Sequence, residues 1–302
     1  MDQPIAILTA DWHLRETVPE CRTDKFIDTQ FEKLEYIYGL QQKHNYIPVL
    51  VAGDIFHKAT YRFSPKFMSR LIEVMEGRPT YAIPGNHDLP GHKMDRITES
   101  NIWFLRKALF NSFWLLNSAT FVTKANFNIV PFPFKQETYD NPIDNEHQTI
   151  AIVHEFVYVG KKPWPGCTYR NGSKMLKNVK GYDLILTGDN HQSFTYKNIV
   201  NPGSITRQSA AQEDHKPSVY LWYGGDNVKR QVIPHEEPAN SMSRDHLDKI
   251  QLRDERIQAF VKRLPKKGKK TSLSFEENME QKMRGAKLKP IVKRKINEAM
   301  EG

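Results

Sequence analysis

Short apolar runs alternate with longer stretches of helical periodicity over the first 240 residues. Seven runs have the length of a strand, at 5–8, 47–52, 80–83, 127–130, 150–153, 184–186 and 219–223. Several are continuous rather than alternating, which is typical of strands buried on both faces. Helical spacing of apolar residues covers 23–44, 64–76 and 97–109. Interleaved strands and helices predict an α/β fold of packed layers.

The pattern changes after Pro234. Residues 234–238 have the composition of a linker, and no convincing strand follows them. An amphipathic helical stripe then includes Leu247, Ile250, Ile257, Phe260, Val261 and Leu264. A basic break at 266–270 ends it, and further helix is expected from about 274 and after Pro290. We therefore predict a layered α/β domain at 1–237 and a basic C-terminal helical extension at 238–302.

The composition is that of a soluble globular protein. The 302 residues are 39% hydrophobic and 26% charged, and no apolar run approaches the roughly 18 residues of a membrane span. The first residues lack the basic start of a signal peptide, so we expect a cytoplasmic protein with no membrane association. Cys21 and Cys167 show no CxxC spacing, so neither a disulfide framework nor a thiolate metal site is predicted.

Positive charge is concentrated toward the C-terminus. Residues 241–302 carry 17 Lys and Arg against 9 Asp and Glu, which accounts for +8 of the net charge of +9. Such a segment is compatible with a polyanionic partner, above all nucleic acid. A solvated, lysine-rich helical face is the alternative interpretation.

Polar motifs follow the predicted strands in order. They are Asp11-Trp12-His13, Gly53-Asp54-Ile55-Phe56-His57, Gly85-Asn86-His87-Asp88, His154, Gly188-Asp189-Asn190-His191 and Asn201-Pro202-Gly203-Ser204. Functional groups in layered α/β folds gather at the carboxyl ends of strands. Asp, Asn and His side chains suit Mn²⁺, Fe²⁺ or Zn²⁺. Two adjacent ions would need a carboxylate that bridges them, as in two-metal hydrolases.

This order of motifs resembles that of the calcineurin-like metallophosphoesterases, which reads D-x-H, G-D, G-N-H-D/E, H and G-H-x-H. The resemblance covers about residues 5–210 and implies a β-sandwich flanked by helices. Within the superfamily the chain looks most similar to the SbcD-type nuclease subunits of double-strand-break repair. The features that support this narrower match are the 53–57 motif, Ser64-Pro65 and the turn Pro202-Gly203-Ser204.

The resemblance implies a role for each site residue. One metal ion would be surrounded by Asp11, His13, Asp54 and His191. The second would be surrounded by Asp54, Asn86, His154 and Asp189, with Asp54 as the bridge. His87 matches the family's catalytic histidine, which helps to protonate the leaving 3′ oxygen. Asp88 would hold the ring of His87.

Asp189 departs from the family pattern, because a carboxylate stands where the signature has an imidazole. If Asp189 is a ligand, its harder oxygen favours Mn²⁺ or Mg²⁺ over Zn²⁺. Alternatively, Asp189 only begins a turn, and the second ion is weakly held.

Four further residues are candidates for substrate contact, each with a structural alternative. His57 either faces the substrate or is a surface histidine after a strand. Arg207 either contacts a phosphate or makes a structural ion pair. Tyr169 and Arg170, in an otherwise polar insertion at 161–180, either contact the substrate or are solvated.

The leading functional hypothesis is a DNA nuclease with two divalent ions, Mn²⁺ preferred and Mg²⁺ or Fe²⁺ possible. By resemblance its activities would be 3′ to 5′ exonuclease on duplex and endonuclease on single strands, in DNA repair, recombination or phage DNA metabolism. One alternative is a small-molecule phosphodiesterase or phosphatase of the same fold.

The other alternative is a binding subunit that attaches through its C-terminal helices to an SbcC-type coiled-coil ATPase. The amphipathic stripe would then face that partner, or else pack on the catalytic domain. A homodimer through the helices at 64–76 and 97–109 is a further family expectation. Trp103, Phe104 and Phe110 would supply its apolar surface, unless they are core residues.

Overall fold

The computed structural model describes residues 3–117, 120–122, 126–135, 146–263, 282–283 and 288–301. The chain divides into two compact units, Met1–Met242 and Ser243–Gly302. In the described part of the first unit, the helices are α1 (Phe26–Lys43), α2 (Pro65–Met75), α3 (Asn101–Ala108), α4 (Gly172–Asn178) and α5 (Pro238–Ser241). The strands are β1 (Ala6–Thr9), β2 (Val49–Val51), β3 (Thr80–Ala82), β4 (Phe113–Leu115), β5 (Thr120–Val122), β6 (Phe127–Phe132), β7 (Gln148–Val153), β8 (Val157–Tyr158), β9 (Arg170–Asn171), β10 (Leu184–Thr187), β11 (Phe194–Tyr196), β12 (Ile199–Asn201), β13 (Ser218–Trp222) and β14 (Val228–Val232).

Most strands belong to two sheets of six. The strand order is β14-β13-β1-β2-β3-β4 in one sheet and β11-β12-β10-β7-β6-β5 in the other, while β8 and β9 form a separate parallel pair. The series β1-β2-β3-β4 and β12-β10-β7-β6 are each parallel throughout. The carboxyl ends of β1, β2 and β3 therefore lie along one edge of the first sheet, and those of β7 and β10 along one edge of the second.

The two sheets pack face to face, with helices on their outer faces. Leu8 and Leu50 of the first sheet share one buried cluster with Ile152 and Leu186 of the second. The opposite face of the first sheet packs on α1, α2 and α3, and the opposite face of the second packs on α4. The central strands are thus buried on both sides, which explains their continuous apolar runs. The predicted α/β layered fold with flanking helices is confirmed.

Two helices begin at serine caps. The Ser64 hydroxyl accepts a hydrogen bond from the Phe67 backbone N–H at 3.2 Å, and Pro65 takes the first helical position of α2. The Ser100 hydroxyl caps α3 in the same way. The predicted helix at 97–109 therefore begins later than expected, because Met94–Glu99 forms a 3₁₀ helix before the cap.

The described residues of the second unit form helices α6 (Asp245–Arg263) and α7 (Pro290–Glu301). The Lys295 ammonium lies 2.8 Å from a carboxylate oxygen of Asp254, and Ile257 packs against a small cluster that contains Ile296. Phe260 of the predicted stripe is half exposed. Leu264 and the side chains of Ile250 and Val261 lie outside the described residues. Attachment to an ATPase through this unit stays a prediction.

Two other sequence expectations concern surfaces of the chain. Phe104 and Phe110 are 53% and 64% exposed, so neither is a core residue, whereas Trp103 is partly buried. A homodimer through this region stays a prediction.

Within the described residues, no helix is both long enough and apolar enough to cross a membrane.

Candidate metal centre

Loops that follow five parallel strands bring six predicted site residues together. They are Asp11 and His13 after β1, Asp54 after β2, Asn86 after β3, His154 after β7 and His191 after β10. All except Asn86 and His191 are fully or almost fully buried. These residues are scattered over 180 positions of the sequence, and they meet because the parallel strands end at adjacent edges.

One group of potential ligands consists of Asp11, His13 and His191, whose ligand atoms lie within 4.8 Å of one another. The Nε2 atoms of the two imidazoles face each other at 3.0 Å. Burial lowers the pKa of both histidines, that of His13 strongly. Near neutral pH both rings are therefore uncharged and have a lone pair to offer a cation.

A second group consists of Asp11, Asp54 and His154. Nε2 of His154 lies 3.5 Å from Oδ2 of Asp54 and 2.9 Å from the Asn86 side-chain oxygen. The same Asp54 oxygen lies 3.5 Å from Nε2 of His13, in the first group. Asp54 is therefore located between the two groups, which is the position a bridging ligand requires.

The charges of this cluster favour a cation. Burial raises the pKa of Asp11 well above its usual range. Burial alone would lower the pKa of His154, but the negative charge of Asp54 and the contact with it raise that pKa to about 10. Oδ2 of Asp11 and Oδ2 of Asp54 are both buried and make no hydrogen bond. Because buried carboxylate oxygens without partners are costly unless they bind an ion, the donor set fits divalent metal ions.

The backbone of these loops is strained. Asp11, His13, Asp54 and Asp189 have φ angles of 51°, 46°, 54° and 70°, in the left-handed region that few non-glycine residues occupy. Loop-to-loop hydrogen bonds stabilise this conformation, such as that from the His13 N–H to the Asp54 carbonyl at 2.9 Å. Strain of this kind is tolerated where the surrounding structure holds functional side chains in place.

A backbone carbonyl orients the ring of His154. Its Nδ1 lies 2.7 Å from the Ala52 carbonyl oxygen and donates a hydrogen bond to it. The Nε2 atom therefore points toward Asp54 and Asn86, where a bound metal ion would replace the proton that the raised pKa of His154 keeps on the ring. Metal-ligating histidines are commonly oriented in this way.

A backbone carbonyl also orients His87. Its Nδ1 donates to the His57 carbonyl oxygen at 2.8 Å, and its backbone N–H donates to Oδ1 of Asp54 at 2.9 Å. The ring lies edge to face with that of His13, with centroids 4.8 Å apart. His87 thus borders the cluster, and its Nε2 is not used by the contact that orients the ring.

The prediction that Asp88 holds the ring of His87 is corrected by these contacts. The Asp88 carboxylate is fully buried and accepts hydrogen bonds from the backbone N–H groups of Gly85, Ile55 and Phe56 at 2.9–3.2 Å. It therefore ties the loop after β3 to the loop after β2. Its role is to shape the loops that carry the site.

Arg207 and His57 differ in their relation to the site. Arg207 is 3% exposed and donates to the carbonyl oxygens of His215 and Glu236, so its role is structural, through backbone carbonyls rather than the expected ion pair. His57 stacks on His87 at 5.5 Å. Burial and the charge of Arg15 lower the pKa of His57 to about 4, so it is a neutral neighbour of the cluster.

Asp189 occupies the edge of the cluster. Its backbone N–H donates to Oδ1 of Asp11 at 3.0 Å, and its side chain lines an adjacent cavity with His154. Among the described residues, Asp189 is in none of the three compact groups of potential ligands, which include His13, His57 and His87 as the third. A ligand role for Asp189 stays a prediction.

Gly188 offers a test of how tightly the loops pack. A Cβ at this position would overlap the Ala52 carbonyl oxygen and lie 2.9 Å from Nδ1 of His154. We expect Gly188→Ala to displace the contact that orients His154 and to weaken Mn²⁺ binding about 10- to 100-fold, the usual cost of losing an outer contact. Calorimetric titration with Mn²⁺ measures this loss.

Gly39 is the matched control. It is exposed within α1, and a Cβ there meets nothing within 4 Å. Gly39→Ala should leave Mn²⁺ affinity unchanged and stabilise the fold by about 0.5–1 kcal/mol, because alanine has the better helix propensity. Unchanged Mn²⁺ binding by Gly188→Ala would contradict the proposed packing.

Comparison with known families agrees with this geometry. A family model described as calcineurin-like phosphoesterase matches residues 6–193, which contain every residue of the cluster. No curated protein matches the chain.

Proposed function

The chain belongs to the calcineurin-like phosphoesterase family, and we propose that it is a nuclease that hydrolyses phosphodiester bonds in DNA with two divalent ions, Mn²⁺ preferred. Metal-dependent phosphoester hydrolysis follows from the family and the Asp and His cluster. DNA as the substrate and Mn²⁺ as the ion are the further steps that we propose.

The observation that carries the proposal is the pair of buried carboxylate oxygens without hydrogen-bond partners, on Asp11 and Asp54, among three imidazoles. One ion would be held by Asp11, His13, Asp54 and His191. The second would be held by Asp54, Asn86 and His154, with Asp189 as a further candidate. When bound, divalent ions would lower the pKa of a water molecule bound to them and would neutralise the negative charge that develops on the phosphate.

His87 is the candidate proton donor. With Nδ1 fixed on the His57 carbonyl, its Nε2 is the ring nitrogen that is left to donate a proton to a leaving group. Cleavage of a DNA phosphodiester expels an alkoxide, which is a poor leaving group unless it is protonated. A positioned imidazole at the border of the cluster suits that task.

Two features support DNA over a small phosphodiester. Residues 241–302 carry most of the net positive charge, as expected for a segment that contacts several phosphates. The ordered motifs also resemble those of the SbcD-type nucleases. Neither feature depends on the Asp and His cluster. The choice between DNA and a small phosphodiester as the substrate therefore needs its own experiment.

The decisive assay is cleavage of end-labelled duplex and single-stranded DNA in Mn²⁺, alongside hydrolysis of bis-p-nitrophenyl phosphate. A nuclease cuts at least one DNA and loses that cutting in chelator. If the protein hydrolyses only the small diester and leaves both DNAs whole, it is a small-molecule phosphodiesterase. If it hydrolyses none of the substrates in Mn²⁺, Mg²⁺ or Fe²⁺, the proposal is wrong.

A further inference from the structure

An aromatic and basic segment borders the metal centre and has no role in the chemistry described above. We define this segment, residues 155–180, as the aromatic-basic loop. It includes the two-stranded β8–β9 pair and α4. The mechanism of phosphodiester hydrolysis needs none of its side chains.

Three aromatic rings of this loop form a triangle. The centroid of Phe156 lies 4.7 Å from that of Tyr169 and 5.7 Å from that of Trp164, and the last two are 5.7 Å apart. Trp164 and Tyr169 are nevertheless 45% and 47% exposed. Large aromatic side chains clustered at the surface beside a catalytic centre mark a binding surface.

A cavity of about 460 Å³ is lined both by two rings of this triangle and by residues at the metal centre. Its lining includes Phe156 and Tyr169 of the loop, Phe134 and Lys135, and His154 and Asp189 beside the metal centre. This volume is in the range of small-ligand sites, about 300–1,000 Å³. A group bound against the aromatic rings is therefore adjacent to the hydrolytic centre.

The charge of the loop restricts the kind of ligand. The segment contains six basic residues, Lys161, Lys162, Arg170, Lys174, Lys177 and Lys180, and a single acidic residue, Glu155. Glu155 forms an ion pair with Arg170 at 2.7 Å. Aromatic side chains interleaved with positive charge are typical of surfaces that bind single-stranded nucleic acid, in which bases stack and phosphates contact cations.

From this arrangement we propose that the aromatic-basic loop is a stacking site for an unpaired nucleobase of the strand being cut, with Trp164 and Tyr169 as its exposed faces. This inference rests on the proposed nuclease function and adds a specificity to it. A paired base has both faces covered by its neighbours, so the site favours single-stranded or frayed DNA. A stacked base would cover the half-exposed rings of Trp164 and Tyr169.

Binding in chelator tests the site without cleavage. The probes are a fluorescently labelled single-stranded DNA and a strand of equal length and charge in which every base is replaced by an abasic tetrahydrofuran unit. Because stacking contributes about 1–3 kcal/mol per base, the wild type should bind the base-bearing strand roughly 5- to 150-fold more tightly. Equal affinity for the two strands overturns the proposal.

Substitutions of Trp164 and Tyr169 test whether the aromatic-basic loop causes the preference for the base-bearing strand. Trp164→Ala and Tyr169→Ala should each lose most of the preference through weaker binding of the base-bearing strand, with affinity for the abasic strand unchanged. Trp164→Phe, which keeps an aromatic face, should restore much of it. If alanine weakens both strands equally, or neither, the rings have only a structural role and the proposal fails.

A spectroscopic signature and a parallel assay complete the test. A 2-aminopurine base in the strand should be quenched on binding to the wild type, as stacking requires, and not on binding to Trp164→Ala. Hydrolysis of bis-p-nitrophenyl phosphate in Mn²⁺ is measured for the same proteins. If hydrolysis persists while the binding preference is absent, the stacking site fails alone; if no phosphodiester is hydrolysed, the proposed function fails independently.

Discussion

Asp54→Asn is expected to abolish metal-dependent hydrolysis while preserving the fold of the metal-free protein. Oδ2 of Asp54 lies 3.5 Å from the Nε2 atoms of both His13 and His154, and it is buried without a hydrogen bond. Asparagine has the same shape and can keep the Oδ1 contact with the His87 N–H, but it removes the charge shared by the two groups. Since metal ions contribute several kcal/mol to such reactions, the rate should fall about 10³-fold or more.

Thermal unfolding with and without Mn²⁺ checks the reason for that loss. A ligand that binds only the folded state stabilises it by about 2.7 kcal/mol when its free concentration is 100 times its Kd. The wild type should show such a gain and Asp54→Asn little or none, although both unfold at similar temperatures in chelator. Asp226→Asn, an exposed carboxylate, should behave as the wild type. A variant that keeps the full Mn²⁺ stabilisation would exclude Asp54 as a bridge.

The positions of the site side chains were largely predictable, because each follows a recognisable apolar strand. Asp11, Asp54 and His154 come directly after or within four residues of strands whose continuous apolar runs predict burial on both faces. Parallel pairing then places the ends of neighbouring strands side by side. Fold class and candidate ligands thus depend on the same periodicity, and both could be inferred together.

The contacts that orient these side chains could not be predicted. The rings of His154 and His87 are held by the carbonyl oxygens of Ala52 and His57. Every residue has a backbone carbonyl. The amino-acid sequence therefore does not reveal which carbonyl oxygen accepts the hydrogen bond of a histidine ring. Asp88 was misassigned for the same reason, since its partners are three backbone N–H groups across a loop.

Short elements were missed for a different reason. Strands β8 and β9 contain two residues each, too few to show any periodicity. Helix α4 lies in a segment that appears only polar and basic, although its Asn171 cap, which accepts from the Ser173 N–H at 3.0 Å, is a recognisable start signal. The cavity beside the metal centre is built partly from this segment, so the substrate side of the site was the least predictable.

His87→Gln should separate proton donation from metal binding. Glutamine can keep a polar contact with the His57 carbonyl, but it cannot donate a proton to a departing alkoxide. A general acid contributes about 10²- to 10⁴-fold, so cleavage of DNA should slow by that factor. Hydrolysis of bis-p-nitrophenyl phosphate, whose leaving group departs without protonation, should slow far less, by about tenfold at most.

The contrast between the two substrates is what identifies the role. His87 is also within 4.8 Å of potential ligands on His13 and His57, so a metal-ligand role is the competing explanation. Loss of a ligand would weaken Mn²⁺ binding and slow both substrates alike, whereas loss of a proton donor leaves the Mn²⁺ titration unchanged. His44→Gln, at the end of α1 and away from the cluster, controls for the loss of an imidazole as such. Equal slowing of both substrates together with weaker Mn²⁺ binding would make His87 a ligand rather than the acid.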